Sequence, residues 1–129
     1  MLLTFSKNER LHLLREIKTL FSGGRNLVIK PLKITWLLHD QSNGSNVKLM
    51  VSFPKVLCKK ATLRNRIKRR LREAYRLNKN ILHDIRIPHG KSLLVCITYT
   101  SKELLSYSEI QDKIILILSR LKEECGKVV

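Results

Sequence analysis

The sequence predicts an α+β fold in which three helices pack on a small β-sheet. Three segments repeat apolar residues at helical spacing, two others alternate apolar and polar residues, and one is almost continuously apolar. These patterns are typical of amphipathic helices, of strands with one buried face and of a strand buried on both faces, respectively. We therefore expect a two-layer α/β sandwich in the order α-β-β-(β)-α-β-α, with the bracketed strand optional, and a single domain over residues 1–129.

The first helix is predicted over about Lys7–Phe21. Ser6 and Glu9 have the spacing of a capping box, which satisfies free backbone N–H groups at a helix N-terminus. Four apolar residues then recur at helical spacing: Leu11, Leu14, Ile17 and Phe21. The pair Gly23–Gly24 is expected to end the helix.

Two strands are predicted next, over Lys33–His39 and Val47–Phe53. The second strand should divide its side chains between a core face, with Val47, Leu49, Val51 and Phe53, and an opposite face, with Lys48, Met50 and Ser52. The dipeptide Asn43-Gly44 between the strands is a strong hairpin signal. Pro54 should end regular strand pairing.

The remaining elements are a long helix, a buried strand and a last helix. We predict the long helix over about Ala61–Asn80, a loop over Ile85–Lys91 and the buried strand over Ser92–Tyr99. The last helix is predicted over Ser108–Glu124, with Gly126 ending it. Its apolar stripe consists of Ile110, Ile114, Ile117 and Leu121.

The chain is strongly basic, with 26 Lys and Arg against 10 Asp and Glu and a formal net charge of +16. Such a charge attracts polyanions, so nucleic acid, an anionic membrane surface and an acidic protein are the three candidate partners. A hydrophobic content of 43% is enough for a packed core and argues against a disordered basic tail.

The three cysteines, Cys58, Cys96 and Cys125, are far apart and show no zinc-binding spacing. Reduced thiols indicate a cytoplasmic protein, and Cys96 is expected in the core. The first residues are too short an apolar run for a signal peptide, and the longest apolar runs are too short to cross a membrane. We therefore expect a cytoplasmic protein that binds no membrane.

The candidate binding surface is the long helix. About 100° of rotation per residue places Leu63, Ile67, Leu71 and Ala74 on one stripe that can dock on the sheet. The opposite side carries Asn65, Lys68, Arg69, Arg72 and Arg76, with Arg64 at its border, whereas Arg66 and Arg70 lie nearer the apolar stripe. Only Glu73 opposes these charges, and the planar fork of arginine suits phosphate oxygens.

Three other interpretations compete with RNA binding by this helix. A merely solvated helix usually mixes both charge signs, which this one does not. A membrane-surface helix needs spare apolar residues opposite its basic face. A DNA-recognition helix needs a short helix and turn before it, whereas a strand and Pro54 come first, so we expect no DNA partner.

The segment Ala61–Arg76 reads ATLRNRIKRRLREAYR and resembles the RNR motif of the bacterial ribonuclease P protein subunit. The matching positions are Ala61, Arg64, Asn65, Arg66, Lys68, Arg69, Arg72, Glu73 and Arg76. The resemblance extends to Phe5–Leu11, to Phe21 and to Val51–Lys55, and it is weak beyond Tyr99.

This resemblance implies a fold and a function. The family fold is an α/β sandwich with an unusual left-handed βαβ crossover through the RNR helix, although right-handed crossovers are the rule. The family assists a catalytic RNA that removes the 5′ leader from precursor tRNA. The expected partners are thus ribonuclease P RNA and precursor tRNA, with the protein a monomer in a 1:1 complex with the RNA.

The resemblance also divides the candidate residues between two sites. The RNA-binding residues are Lys59, Lys60, Arg64, Asn65, Arg66, Lys68, Arg69, Arg72 and Arg76. A cleft between the first helix and the sheet is expected to receive the single-stranded leader through Phe21, Met50, Ser52 and Lys55. Phe21 can stack on an unpaired base, although an aromatic residue at helical spacing is also typical of a core. Two departures, Val56 after Lys55 and Ile17 in place of an aromatic residue, predict weaker leader contacts.

No catalytic constellation is visible in the sequence, because its few carboxylates are scattered and no Ser/His/Asp spacing occurs. We therefore expect the chemistry of a ribonucleoprotein endonuclease, with its Mg²⁺, in the partner RNA, and no catalytic residue, cofactor or metal site in this chain. The alternative is a ribosomal or other structural RNA-binding protein, which has a similar composition but no leader cleft.

Overall fold

The computed structural model describes residues 5–40, 46–82, 85 and 87–128 and confirms the α+β fold. In chain order its main elements are α1 (Leu14–Gly23), β1 (Arg25–Ile29), β2 (Leu32–Asp40), β3 (Val47–Ser52), α2 (Ala61–Asn78), β4 (Lys91–Tyr99) and α3 (Tyr107–Val128). Single 3₁₀ turns occur at Lys7–Glu9 and Lys79–Leu82. The predicted α2, and the end of β3 before Pro54, agree closely with these bounds.

The four strands lie in the order β1-β2-β4-β3. β4 pairs antiparallel with β2 and parallel with β3. The prediction of a hairpin between β2 and β3 is therefore wrong, and its signal, Asn43-Gly44, lies outside the described residues. Since residues Ser92 to Ile97 of β4 are fully buried, a central place with strands on both sides suits β4 better than an edge.

The sheet has a front face and a back face, as the alternation in β3 predicts. On the front face, α2 and α3 pack with Leu49, Val51 and Phe53 around one large core. On the back face, α1 packs over a smaller cluster that includes Leu94 and Cys96. β4 contributes to both clusters, which confirms the prediction that this strand is buried on both faces.

The predicted helix over Lys7–Phe21 is wrong in its first half. The capping box does form, because the Glu9 carboxylate accepts hydrogen bonds from the Ser6 backbone N–H and hydroxyl, but it closes only a 3₁₀ turn. The chain then extends, and the Leu11 N–H donates to the Leu49 carbonyl at 2.9 Å. Pairing with the edge of β3 thus buries Leu11 without a helix.

The optional strand of the predicted order, to which no residues were assigned, is β1, a short edge strand directly after α1. Gly24 follows the end of α1, as the helix-stop prediction implies, and it also lies close against β2. A Cβ atom at position 24 would collide with the carbonyl oxygen of Leu20 and would lie 3.1 Å from the carbonyl oxygen of Trp36. β1 starts directly after Gly24. A tight turn with a cis Lys30–Pro31 bond then leads into β2, which pairs antiparallel with β1.

The last helix is longer than predicted, and its four-residue apolar stripe is fully buried as expected. Gly126 does not end it, since α3 continues to Val128. A glycine at an exposed helical position costs about 1 kcal/mol relative to alanine. Cys125 directly before it is fully buried, so packing on the core favours continuation of the helix through this turn.

Candidate RNA-binding surface

Helix α2 is anchored on the front face by its apolar stripe. Ile67, Leu71 and Ala74 are fully buried, Leu63 is half-buried, and Tyr75, which the sequence analysis did not assign to the stripe, is buried with them. Burial raises the pKa of the Tyr75 hydroxyl well above its usual range. Docking of this stripe fixes which side of α2 faces outward.

The outward side of α2 carries a cationic arc, which we define as Asn65, Lys68, Arg69, Arg72 and Arg76. Asn65 and Arg69 are exposed, and the other three are half-buried. Glu73 pairs with Arg76 at 2.5 Å, a contact that lowers the pKa of the carboxyl. Glu73 is the single acidic residue within α2, so the helix keeps a large excess of positive charge for a polyanion.

Two arginines of α2 brace the structure. The Arg64 guanidinium donates to the Cys58 and Lys59 carbonyls, each at 3.0 Å, and so holds the segment that leads into the helix. Arg70 donates to the Leu105 carbonyl at 2.7 Å and ties α2 to the loop before α3. Arg66, which the sequence analysis placed near the apolar stripe, is exposed.

The entry to α2 extends the basic surface. Lys59 and Lys60 are exposed, and Lys60 is the N-cap residue without a side-chain cap. The first turn of α2 contains no acidic residue. Free backbone N–H groups and the positive end of the helix dipole favour an anion here.

The predicted cleft residues are only partly brought together by the fold. Met50 and Ser52 are half-buried on the back face, as the alternation predicts, and Lys55 is exposed just after β3. Phe21 belongs to neither core cluster, and 54% of its surface is exposed. The interpretation of Phe21 as a core aromatic is therefore wrong.

A polar row on the back face was not foreseen. Ser52 lies opposite Thr98, and Thr98 lies opposite Lys33 on β2. All three are half-buried, so α1 leaves this row partly open. The signal in the sequence was weak, because it depends on which strands are neighbours rather than on spacing along one strand.

Beneath α1 lies a buried ion pair that the sequence also did not reveal. The Lys48 Nζ donates to the Glu16 carboxylate at 2.9 Å and 3.2 Å, and both side chains are at most 2% exposed. The pair joins α1 to β3. It therefore sets the position of the helix that carries Phe21 relative to the strand that carries Met50.

The N-terminal segment packs against α2 rather than forming the predicted helix. Phe5 meets Tyr75 edge to face, with ring centroids 5.7 Å apart. The Arg10 guanidinium lies 5.2 Å above the Phe5 ring, and Lys79 pairs with Glu9 at 2.7 Å. Burial alone would raise the pKa of Glu9, but hydrogen bonds from Lys79 and Ser6 lower it.

Metal sites and membrane spans are two other features considered for the described residues. They contain no group of three His, Cys, Asp or Glu side chains placed to hold a metal ion. They also contain no helix that is both long and apolar enough to traverse a bilayer.

Comparison with known families decides the relationship of this chain. The family model described as Ribonuclease P matches residues 5–122. The chain belongs to the ribonuclease P protein family. Two curated relatives come from two strains of Porphyromonas gingivalis, and both are named ribonuclease P protein component. Each is 42% identical to this chain over 80 residues, which is 62% of this chain. The chain spans 58% of the length of these relatives.

Solved structures of the family share the fold. The RNase P protein from Thermotoga maritima has a TM-score of 0.66 at 24% identity, over 87% of this chain and 96% of that one. The Staphylococcus aureus protein has a TM-score of 0.65 at 20% identity, over 88% and 95%. At these identities the likeness concerns the fold alone.

Proposed function

We propose that this chain is the protein subunit of ribonuclease P. It binds the catalytic RNA through the cationic arc and the entry to α2, and it binds the 5′ leader of precursor tRNA on the back face beside α1. The observation that supports this most strongly is the arc itself, a cationic surface on a helix with a single acidic residue, in a chain that belongs to the ribonuclease P family.

The role of the arc is electrostatic. Arginine forks that grip phosphate oxygens release counterions from the RNA, and this release supplies much of the affinity. Because Asn65 is exposed between the cations, its amide is available to a sugar or a base edge. Exposed Lys59 and Lys60 extend the same contact along the RNA backbone.

The back face suits a single strand. Phe21 offers an exposed ring for stacking, a contact worth about 1–3 kcal/mol per base that tolerates any sequence. Ser52 and Met50 lie on the neighbouring sheet surface, and Lys55 extends from the end of β3 toward phosphate. Exposed Val56 adds no charge next to Lys55, so we expect weaker leader binding than paired lysines provide.

In this proposal the protein positions RNA and the catalytic RNA performs the hydrolysis with its own Mg²⁺. The protein acts as a monomer in a 1:1 complex in the cytoplasm. Its charges offset repulsion between the catalytic RNA and the substrate. This help matters most at low Mg²⁺, where few other cations screen the phosphates.

The test is reconstitution with a bacterial ribonuclease P RNA at low Mg²⁺ and 5′-labelled precursor tRNA. We expect the protein to stimulate cleavage at the mature 5′ end, and the protein treated to remove all RNA to cleave nothing. K68Q/R69Q should stimulate less than the charge-matched control K102Q/R120Q, whose residues are exposed and lie outside α2.

Two outcomes contradict the proposal. Absence of stimulation by the folded protein, with an RNA that is active alone at high Mg²⁺, contradicts the subunit assignment. Cleavage by the RNA-free protein contradicts the placement of the chemistry in the RNA.

A further inference from the structure

A pocket of about 410 Å³ lies where the N-terminal segment meets α2. It is lined by Phe5, Arg10, Arg69, Arg72, Glu73 and Arg76. Two of these residues come from outside α2. The pocket is thus a concave site that the arc alone does not contain.

The pocket concentrates positive charge that the described residues do not neutralise. Glu73 is held by Arg76 through contacts of 3.0 Å and 2.5 Å. Among the described residues, no carboxylate forms an ion pair with Arg10, Arg69 or Arg72. Partial burial and the charge of Arg10 both lower the pKa of Arg72.

The Arg10 guanidinium has a packing partner within the protein. It lies on the Phe5 ring, and the edge-to-face contact with Tyr75 holds that ring. The flanking backbone is fixed by the Leu11 hydrogen bond to β3 and by the Glu9–Lys79 ion pair. A side chain ordered in advance loses little conformational entropy on binding.

We propose that this pocket clamps one phosphodiester group of an RNA strand between Arg10 on one side and Arg69 and Arg72 on the other. Phe5 is a positioning residue that supports Arg10, because the guanidinium covers one face of its ring. The phosphate supplies the missing countercharge, and pairing with Arg76 keeps Glu73 from repelling it. The inference rests on the proposed function and adds a contact from outside the arc.

The test compares R10Q with R25Q. Arg25 is a matched control, since it is also exposed and lies 5.8 Å above an aromatic ring, that of Trp36, but on the distant edge strand β1. Affinity for ribonuclease P RNA and for precursor tRNA in the reconstituted complex is measured across a salt series. R10Q should weaken one of these affinities about tenfold and reduce its log–log salt slope by about 0.7–0.9.

The two arms identify the source of the phosphate. A loss in binding to the catalytic RNA alone assigns it to that RNA, whereas a loss only for precursor tRNA assigns it to the substrate and contradicts the assignment of Arg69 and Arg72 to the catalytic RNA. R10K, which keeps the charge without the fork, should keep the slope and lose part of the affinity. If R10Q does not fold, the affinity of R10K is the measurement that tests the clamp.

The clamp is overturned if R10Q and R25Q have equal affinities and salt slopes for both RNAs. Wild-type affinity in R10K also overturns it. These outcomes leave the proposed function standing if the wild-type protein still stimulates cleavage. Failure of the wild-type protein to stimulate instead contradicts the proposed function.

Discussion

At the scale of single residues, exposure separates the aromatic side chains into two groups. Tyr75, Tyr99 and Phe53 are buried in the front core, whereas Phe21 is exposed on α1. Helical spacing alone could not distinguish these environments, because Phe21 fits an apolar stripe as well as any core residue does. Only the position of α1 on the sheet shows that its ring is open to a ligand.

We predict that F21A lowers the affinity of the reconstituted complex for precursor tRNA about fivefold or more, as expected for loss of one stacked base. Mature tRNA, which has no leader, should bind almost unchanged. F21L, which keeps apolar bulk without a π-face, should share the loss. L116A is the control, since Leu116 on α3 is 51% exposed and lies outside the proposed contacts.

Affinities are measured by titration of labelled tRNA into the complex. Equal losses for precursor and mature tRNA would contradict a leader contact at Phe21. A wild-type affinity in F21L would contradict stacking in favour of a general apolar contact.

Arg64 shows what a motif match leaves open. The sequence analysis counted it with the RNA-binding residues, and the structure uses its guanidinium to brace the Cys58 and Lys59 carbonyls. Substitution of Arg64 therefore disturbs the entry to α2 as well as its charge. Lys68 and Arg69, for which the described residues show no such bracing bond, are better positions for testing RNA contact.

At the scale of elements, local patterns predicted α2, α3 and the alternation of β3 because apolar residues recur along one face of each. They failed for the segment before α1, since the edge of β3 offers Leu11 a pairing partner that no spacing reveals. They also failed for β1, whose five residues are a short edge strand with a basic start. In both cases tertiary contacts outweigh the local preference.

The Glu16–Lys48 pair carries a prediction about the attachment of α1. K48M should lower the free energy of unfolding by about 3–5 kcal/mol, because it leaves the Glu16 carboxylate buried without its partner. The double variant K48M/E16L should recover most of that loss, since an apolar pair of similar volume avoids the desolvation cost. Chemical denaturation of the wild type, K48M and K48M/E16L measures the free energy of unfolding of each.

A matched control is K91M, which breaks the exposed Lys91–Asp40 pair and should change stability little. Equal stability losses in K48M and K91M would contradict a structural role for the buried pair. A double variant that is less stable than K48M would contradict the explanation by an uncompensated charge.

At the scale of the whole molecule, the fold class was predictable but the strand order was not. Alternation and apolar runs identify strands, yet they do not show that β4 inserts between β2 and β3. That insertion makes β3 and β4 parallel neighbours joined through α2, and it creates the polar row with Ser52 on the back face. The left-handed course of this crossover stays a prediction from the family resemblance.

The arrangement places the two proposed contacts on opposite faces of one sheet. α2 packs on the front face and presents the cationic arc, while α1 and Phe21 lie on the back face. A protein of this shape can bind the catalytic RNA with one side and the leader with the other. The family resemblance implies these two roles, and the proposed function assigns one to each surface.

Site-specific photo-cross-linking tests this division most directly. A benzophenone side chain is introduced at Asn65, exposed on the arc, or at Phe21, and each protein is irradiated in the reconstituted complex with precursor or mature tRNA. We predict that position 65 links to the catalytic RNA with either tRNA, and that position 21 links to leader nucleotides only when precursor tRNA is present. Leader cross-links from position 65, or cross-links from position 21 that do not depend on the leader, would contradict the account.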